Sequence, residues 1–380
     1  MKKIIQGKLI NPLKELADDG KLSGILLVAA TIISITLSNM SFGPSYALFW
    51  ENKIGPAFFS KSISHWVNDG LMAVFFFLVG LEIKRELVKG ELSEFKKALL
   101  PIFAAIGGVV MPALIFVFFN SGTQYINGWA IPTATDIAFS LGVLSLLGKN
   151  VPFSLKVFLT ALAIIDDLCA IIIIAFFYTS NLAVNYLFYA AALFVLVMLF
   201  NVFKVKYLSL YFIAGLVLWF FVLKSGVHAT IAGVLLAVSI PISSLEKIEH
   251  ALHKPVNFII LPIFALVNTA ITLSGESFSQ LFSSLSLGII LGLLIGKPVG
   301  IVIFSWISVK LNLCRMPEYS GWIKMAGVGF TAGIGFTMSI FITNLSYSEI
   351  DLINISKLAI IAASILAGVT GVIIFKAAGK

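Results

Sequence analysis

Residues 162–172 read LAIIDDLCAII, and the two adjacent carboxylates in that run, Asp166 and Asp167, decide how the chain is to be understood. Residues 157–177 carry no other charge, and the pair fills the tenth and eleventh of those 21 positions. A helix of that length crosses the roughly 30 Å of hydrocarbon in a bilayer, which puts both acids near its middle. Neighbours on a helix diverge by about 100°, so the two carboxylates cannot share one partner face. At least one is therefore expected to face a water-filled cavity, because a buried charge needs a partner, water or a proton.

The rest of the chain supports a lipid setting. With a mean hydropathy of +1.04, 59% hydrophobic residues and 12% charged residues, 380 residues of soluble protein could not hide their apolar surface. Twelve apolar stretches are expected to be transmembrane helices: 22–38, 66–87, 98–119, 129–147, 154–178, 183–203, 207–223, 228–242, 256–273, 285–309, 325–345 and 355–375. The expected fold is thus an all-α polytopic membrane protein. It is one transporter unit over 1–380, with tails at 1–21 and 376–380 flanking a twelve-helix domain at 22–375.

Basic residues set the orientation, because loops rich in Lys and Arg stay cytoplasmic. Of 26 such residues, 21 fall on the side of both termini, four on the other side, and Lys297 lies within a span. Both termini are expected in the cytoplasm. The +8 net charge reflects this asymmetry, and no nucleic-acid partner is implied. The polar start at 1–24 is too long for the charged region of a signal peptide. Cys169 and Cys314 lie at different depths and have no metal-site spacing, so both are read as packing residues.

Two further charges share the depth of the Asp pair. Asp136 stands in WAIPTATDIAFSLGVLSLLG, and Lys297 is thirteenth of the 25 residues in LSLGIILGLLIGKPVGIVIFSWISV. A plain interhelical clasp needs one carboxylate for Lys297; a second adjacent acid only adds cost. Pro132, and Gly327, Gly329, Gly333 and Gly335, interrupt the fourth and eleventh stretches. Broken backbone at that depth survives only when buried in protein or lining a cavity. The two breaks lie an odd number of spans apart, as an inverted repeat of spans 3–5 and 10–12 requires. Positive half-helix N-termini would then lie near Asp136 and negative C-termini near Lys297. Gly288, Gly292, Gly296 and Gly300 recur every fourth residue, a strip suited to close helix packing.

The segments GWAIPTATDIAFSLGVLSLLG, ALAIIDDLCAIIIIAFFYT, VLKSGVHATIAGV, LLIGKPVGI and GIGFTMSIFI closely resemble the NhaA-type sodium/proton antiporters of bacterial inner membranes. Inverted-topology repeats are a known feature of that family, so the two readings are not independent. The resemblance implies twelve helices with crossed, discontinuous helices 4 and 11, a cytoplasmic funnel, a homodimer, and electrogenic exchange of Na⁺ or Li⁺ for more than one proton. It implies no cofactor beyond the transported ions, and no enzymatic activity. Asp166 and Asp167 match the ion- and proton-binding pair, the latter two being the acids that would hold Na⁺. Asp136 and Thr135 match the broken-helix acid and its neighbour, and Lys297 the embedded lysine. Glu82, Arg85, His228, Glu249 and His253 match positions of pH response or the funnel mouth, and Asp69 an acid on the outer side. Two departures are visible: Cys169 stands where the family has glycine, and the proline of EHALHKP falls one residue late.

The chemistry agrees with that expectation. Na⁺ is a hard cation that takes oxygen ligands, and ionised aspartates supply them, so protons and Na⁺ compete for one site. On this reading Asp167 is the principal Na⁺ ligand, and Asp166 alternates between Na⁺ or proton binding and a salt bridge to Lys297. Lys297 is either a proton carrier or a fixed structural cation. His250 and His253, in SSLEKIEHALHKP, suit a pH sensor; His228 suits packing at a helix start. An intramembrane aspartyl protease would need a Gly-x-Gly before an Asp, which is absent. A channel would need ligand rings or filter loops. The nearest rival is a sodium-coupled solute symporter of related fold.

Overall fold

A computed structural model describes residues 2–56, 59–179 and 182–378. The terminal residues Met1, Gly379 and Lys380 of the expected tails lie outside the described residues. Among the described residues, eight helices are long and apolar enough to cross a membrane, and ten if each of two bent pairs counts as one span. The chain is accordingly a polytopic helical membrane protein. The remaining two expected spans differ in kind. Helix Met72–Lys89 carries Glu82, Lys84, Arg85, Glu86 and Lys89, and helix Ile231–Ser239 has nine residues.

Three features depart from the apolar pattern. Helix Lys2–Ser38 already runs through most of the expected N-terminal tail. Between the first two expected spans stand a short helix, Gly43–Glu51, and a two-stranded antiparallel ribbon pairing Lys53 with Ser62 and Ile54 with Lys61. That ribbon corrects a purely helical fold. The polar segment between the expected spans 228–242 and 256–273 is helix Ile242–Pro255, with Leu245, Ile248 and Glu249 buried on one side. Its one-sided burial at helical spacing is the reason: apolar and polar residues separate onto two faces of a helix.

Prolines explain two widenings of the backbone. A π-helical turn at Val256–Ile260 ends two residues before Pro262, and another at Gly292–Gly296 ends two before Pro298. Proline removes an N–H and its ring crowds the carbonyl four residues back, so the preceding turn opens. Lys297 therefore begins a fresh α-segment, Lys297–Lys310, immediately after such a turn.

The chain divides into two compact units. The first comprises the described parts of Met1–Ile32, Lys96–Asp166 and Leu273–Lys380. It contains both broken helices: Gln124–Thr133 with Ile137–Leu146, bent by 43°, and Trp322–Ala332 with Phe336–Ser346, bent by 47°. Its core includes Leu144, Leu155, Leu159, Leu162, Ile301, Met325 and Val328. The glycine strip packs here against backbone and proline rings. A Cβ at Gly292 would stand 2.7 Å from Pro132, and one at Gly296 2.8 Å from Pro112. Lipid tails are as apolar as leucine, so helices associate through such close approach rather than by hydrophobic exclusion.

The second unit comprises Ile33–Phe95 and Asp167–Thr272. Phe77, Leu81, Val197, Tyr211, Leu236 and Ala237 form one buried cluster in it. Gly80 faces Ala237 and Val234, which lets helix Met72–Lys89 lie close against helix Ile231–Ser239. The Lys84 ammonium donates to the carbonyls of Val238 (2.5 Å) and Ile240 (2.6 Å), closing the C-terminus of that short helix with a cation.

Candidate functional site

Asp166 and Asp167 lie mid-way along helix Phe153–Phe177, each with 2% of its surface exposed. In the first unit the Lys297 ammonium is 2.8 Å from Asp166 Oδ2 and also donates to the Thr133 carbonyl. Thr133 is the last residue of its half-helix, so the ammonium meets a buried helix-terminal carbonyl as well as a carboxylate. The Thr135 hydroxyl lies 2.7 Å from Asp166 Oδ2 and 2.9 Å from the Ala332 carbonyl. One hydroxyl proton serves one of them at a time. Asp166 Oδ1 is buried and has no hydrogen-bond partner among the described residues. A carboxylate oxygen shielded from water and left in that state is the feature that most asks for a functional explanation.

Asp136 does something different. It occupies the cap position of Ile137–Leu146, and its Oδ1 accepts from the Phe139 N–H at 2.9 Å. Its Oδ2 accepts from the N–H of Thr337 at 3.1 Å and from the Thr337 hydroxyl. Thr337 lies in the first turn of Phe336–Ser346, so one carboxylate closes the N-termini of both half-helices. The two breaks are joined by backbone as well: Asp136 N–H donates to the Ile334 carbonyl at 2.7 Å. Ser140 donates to Thr331 and Ser339 to Ile131, each at 2.8 Å. The sequence pattern placed positive helix ends near Asp136 and negative ends near Lys297, and the geometry is of that kind. Of the four glycines, Gly333 and Gly335 bound the break, whereas Gly327 and Gly329 sit within Trp322–Ala332 and pack against Phe375 and Pro298.

Asp166, Thr135, Lys297 and Asp136 are thus brought together, while the other candidates gather in the second unit. Arg85 Nη1 is 2.5 Å from Glu249 Oε1, and Nη2 is 2.8 Å from Glu86 Oε1. Glu82 is close enough to interact electrostatically with Glu249, Arg85 and Glu86. Glu249 sits in the polar helix that precedes the apolar 256–273 stretch. Burial pushes its carboxyl up, and the Arg85 guanidinium opposes that rise. His253 lies against Asn257, one turn along, and His250 is exposed. His228 Nε2 donates to the Tyr178 carbonyl at 2.7 Å, a packing role. Asp69 belongs to the π-helical turn Trp66–Leu71, its carboxylate 3.2 Å from His65 Nδ1. Both cysteines are free thiols.

Thr337 and His65 were not among the sequence candidates. Thr337 gives no local signal, because its hydroxyl donates to Asp136, 201 residues away in the chain. His65, four residues before Asp69, was a readable helical pair.

Residues 14–375 match the family described as Na⁺/H⁺ antiporter 1. The chain is 52% identical over 376 residues to the Na(+)/H(+) antiporter NhaA of Dechloromonas aromatica, covering 96% of each protein. It is 49% identical over 375 residues to that of Cytophaga hutchinsonii, covering 97% of this chain and 96% of the relative. With that of Pelagibacter ubique it shares 49% over 374 residues, covering 94% and 95%. These relatives are transporters rather than enzymes. With its broken helices joined at Asp136 and its family pattern running almost end to end, the chain belongs to the Na⁺/H⁺ antiporter 1 family.

Proposed function

We propose that this protein is a secondary active antiporter that exports Na⁺ or Li⁺ in exchange for more than one entering proton. It works as one transport unit of twelve helices, with helices 4 and 11 crossing at their breaks, and cycles by alternating access. It resides in a bacterial inner membrane as a homodimer with both termini cytoplasmic. The acids Asp166 and Asp167 bind Na⁺ or protons in turn, Asp167 as the principal Na⁺ ligand. Surrender of one Na⁺ for more than one proton moves net charge in each cycle, so exchange is electrogenic. Thr135, Lys297 and Asp136 hold the site. Glu82, Arg85, Glu249 and His253 adjust its response to pH or line the funnel mouth, His228 packs at a helix start, and Asp69 lines the outer side.

One observation carries the reading. Asp166 has one oxygen held by Lys297 and Thr135 and the other buried without a hydrogen bond. An acid in that position is costly when ionised and alone, so its neutralisation by a proton or a cation is coupled to any movement that keeps it from water. Exchange follows, because only an occupied site changes its access. The deciding experiment preloads membrane vesicles with a pH gradient and adds Na⁺. Added Na⁺ is expected to dissipate the gradient, and Asp167→Asn to abolish the effect. A gradient that collapses equally in the Asp167→Asn vesicles would remove the carboxylate pair from the mechanism.

A further inference from the structure

We infer that His65 is a proton relay on the outer side of the membrane, handing protons to Asp69; this rests on the antiporter reading and on the cytoplasmic placement of both termini. The pair is a built one. The Ser62 hydroxyl accepts from the His65 N–H at 3.2 Å and caps the short turn Ile63–His65. The backbone then widens into the π-helical turn Trp66–Leu71, a feature frequent at functional sites. Trp219 fixes Asp69 from the other side: its indole N–H donates to the Asp69 carbonyl at 3.0 Å, and its ring stacks on Trp66. Held in this way, Asp69 presents Oδ2 at 3.2 Å from His65 Nδ1. The histidine side chain is one-third exposed, whereas the aspartate is more enclosed at 18%.

The two nitrogens of the ring are used differently. Nδ1 faces the carboxylate, and Nε2 is shielded and takes no hydrogen bond from any described residue. A neutral ring that donates from Nδ1 to ionised Asp69 keeps a bare lone pair on Nε2. A proton binds that lone pair and makes the imidazolium. The Nδ1–H bond then breaks and its proton passes to Asp69 Oδ2, leaving a neutral acid and a neutral ring protonated at Nε2. Once Asp69 has passed its proton on, a half-turn of the ring presents the protonated nitrogen to the carboxylate and turns the bare one away, which restores the start. No charge is created or lost beyond the one proton delivered.

The other charged and titratable groups acting on the pair are Lys61 and His228. Lys61 repels a proton on the ring and a proton on the carboxylate alike, so it sets no direction for the transfer. His228 has its Nε2 committed to the Tyr178 carbonyl. The relay is therefore an arrangement of His65 and Asp69 alone.

The test measures Na⁺ efflux from right-side-out vesicles while outer pH is varied between about 6 and 8 at fixed inner pH, the range over which histidine titrates. Relative to the unaltered protein, the rate of His65→Gln is expected to fall roughly tenfold more at the alkaline end, where protons are scarce and a relay matters. Inner pH should leave that ratio unmoved. Combining His65→Gln with Asp69→Asn should cost no more than Asp69→Asn alone. A ratio constant across outer pH, or one that follows inner pH equally, would reduce His65 to scaffold and overturn the relay. Should His65→Gln insert poorly, His65→Asn takes its place; an outer-pH-selective slowing supports the relay, and its absence overturns it. If the unaltered protein exchanged no Na⁺ for protons, the antiporter reading would fall and the relay with it, a result unlike selective failure of the variants.

Discussion

Lys297 and Asp166 form an ion pair of 2.8 Å in which neither side chain is exposed at all. Such a pair holds its worth only while both members are present, because removing one strands the other in a poor solvent for charge. Lys297→Ala should therefore lower stability by about 3–5 kcal/mol at alkaline pH, read as the denaturation midpoint in detergent. Adding Asp166→Asn should recover part of that loss, since the stranded charge is then gone. Losses that simply add would show that the two groups are not coupled. In proteoliposomes, electrogenic exchange fully retained by Lys297→Ala would exclude a proton-carrying lysine.

Asp136 makes a second, separable prediction, because its carboxylate satisfies donors at two helix starts at once. Asp136→Ala leaves the Phe139 and Thr337 N–H groups and the Thr337 hydroxyl without that acceptor. A lost cap costs about 0.5–2 kcal/mol, and a buried unsatisfied donor about 1–3. We expect Asp136→Ala to lose several kcal/mol by the same denaturation assay, and Asp136→Asn distinctly less, because its amide keeps one acceptor oxygen. Equal stability of Asp136→Ala and the unaltered chain would rule out the double cap.

The contrast between these two acids marks the limit of what the sequence could say. Charges at mid-membrane depth are rare enough that Asp136, Asp166, Asp167 and Lys297 identify themselves, and Pro132 and the Gly333–Gly335 step announce broken backbone. What a linear pattern lacks is which oxygen meets which donor. Asp136 and Asp166 look alike in sequence, yet the first has both oxygens satisfied by backbone and Thr337, and the second keeps one unpaired. Thr337 escaped notice because its partner lies 201 residues away. Helix Ile242–Pro255 was hidden by its polarity: a hydropathy pattern finds apolar spans and passes over a charged helix whose buried face is narrow.

Glu249 carries the remaining prediction, which concerns pH. Arg85 Nη1 binds its Oε1 at 2.5 Å, while Oε2 is buried with no hydrogen-bond partner among the described residues. Burial is the larger influence and raises the carboxyl, the Arg85 charge lowers it, and Glu86 and Glu246 add to the rise. A carboxyl raised in the folded state favours folding fully below the ordinary glutamate value of about 4.3, and that contribution is lost as pH climbs through the raised one. Glu249→Gln mimics the protonated form and does not titrate. The midpoint of the unaltered protein should therefore decline relative to Glu249→Gln as pH rises across that window. Arg85→Gln should steepen the decline, because it removes the charge that opposes the rise while leaving burial and the two acids in place. Parallel curves for the unaltered protein and Glu249→Gln would mean that Arg85 fully offsets burial, and Glu249 would then have no part in a response to pH.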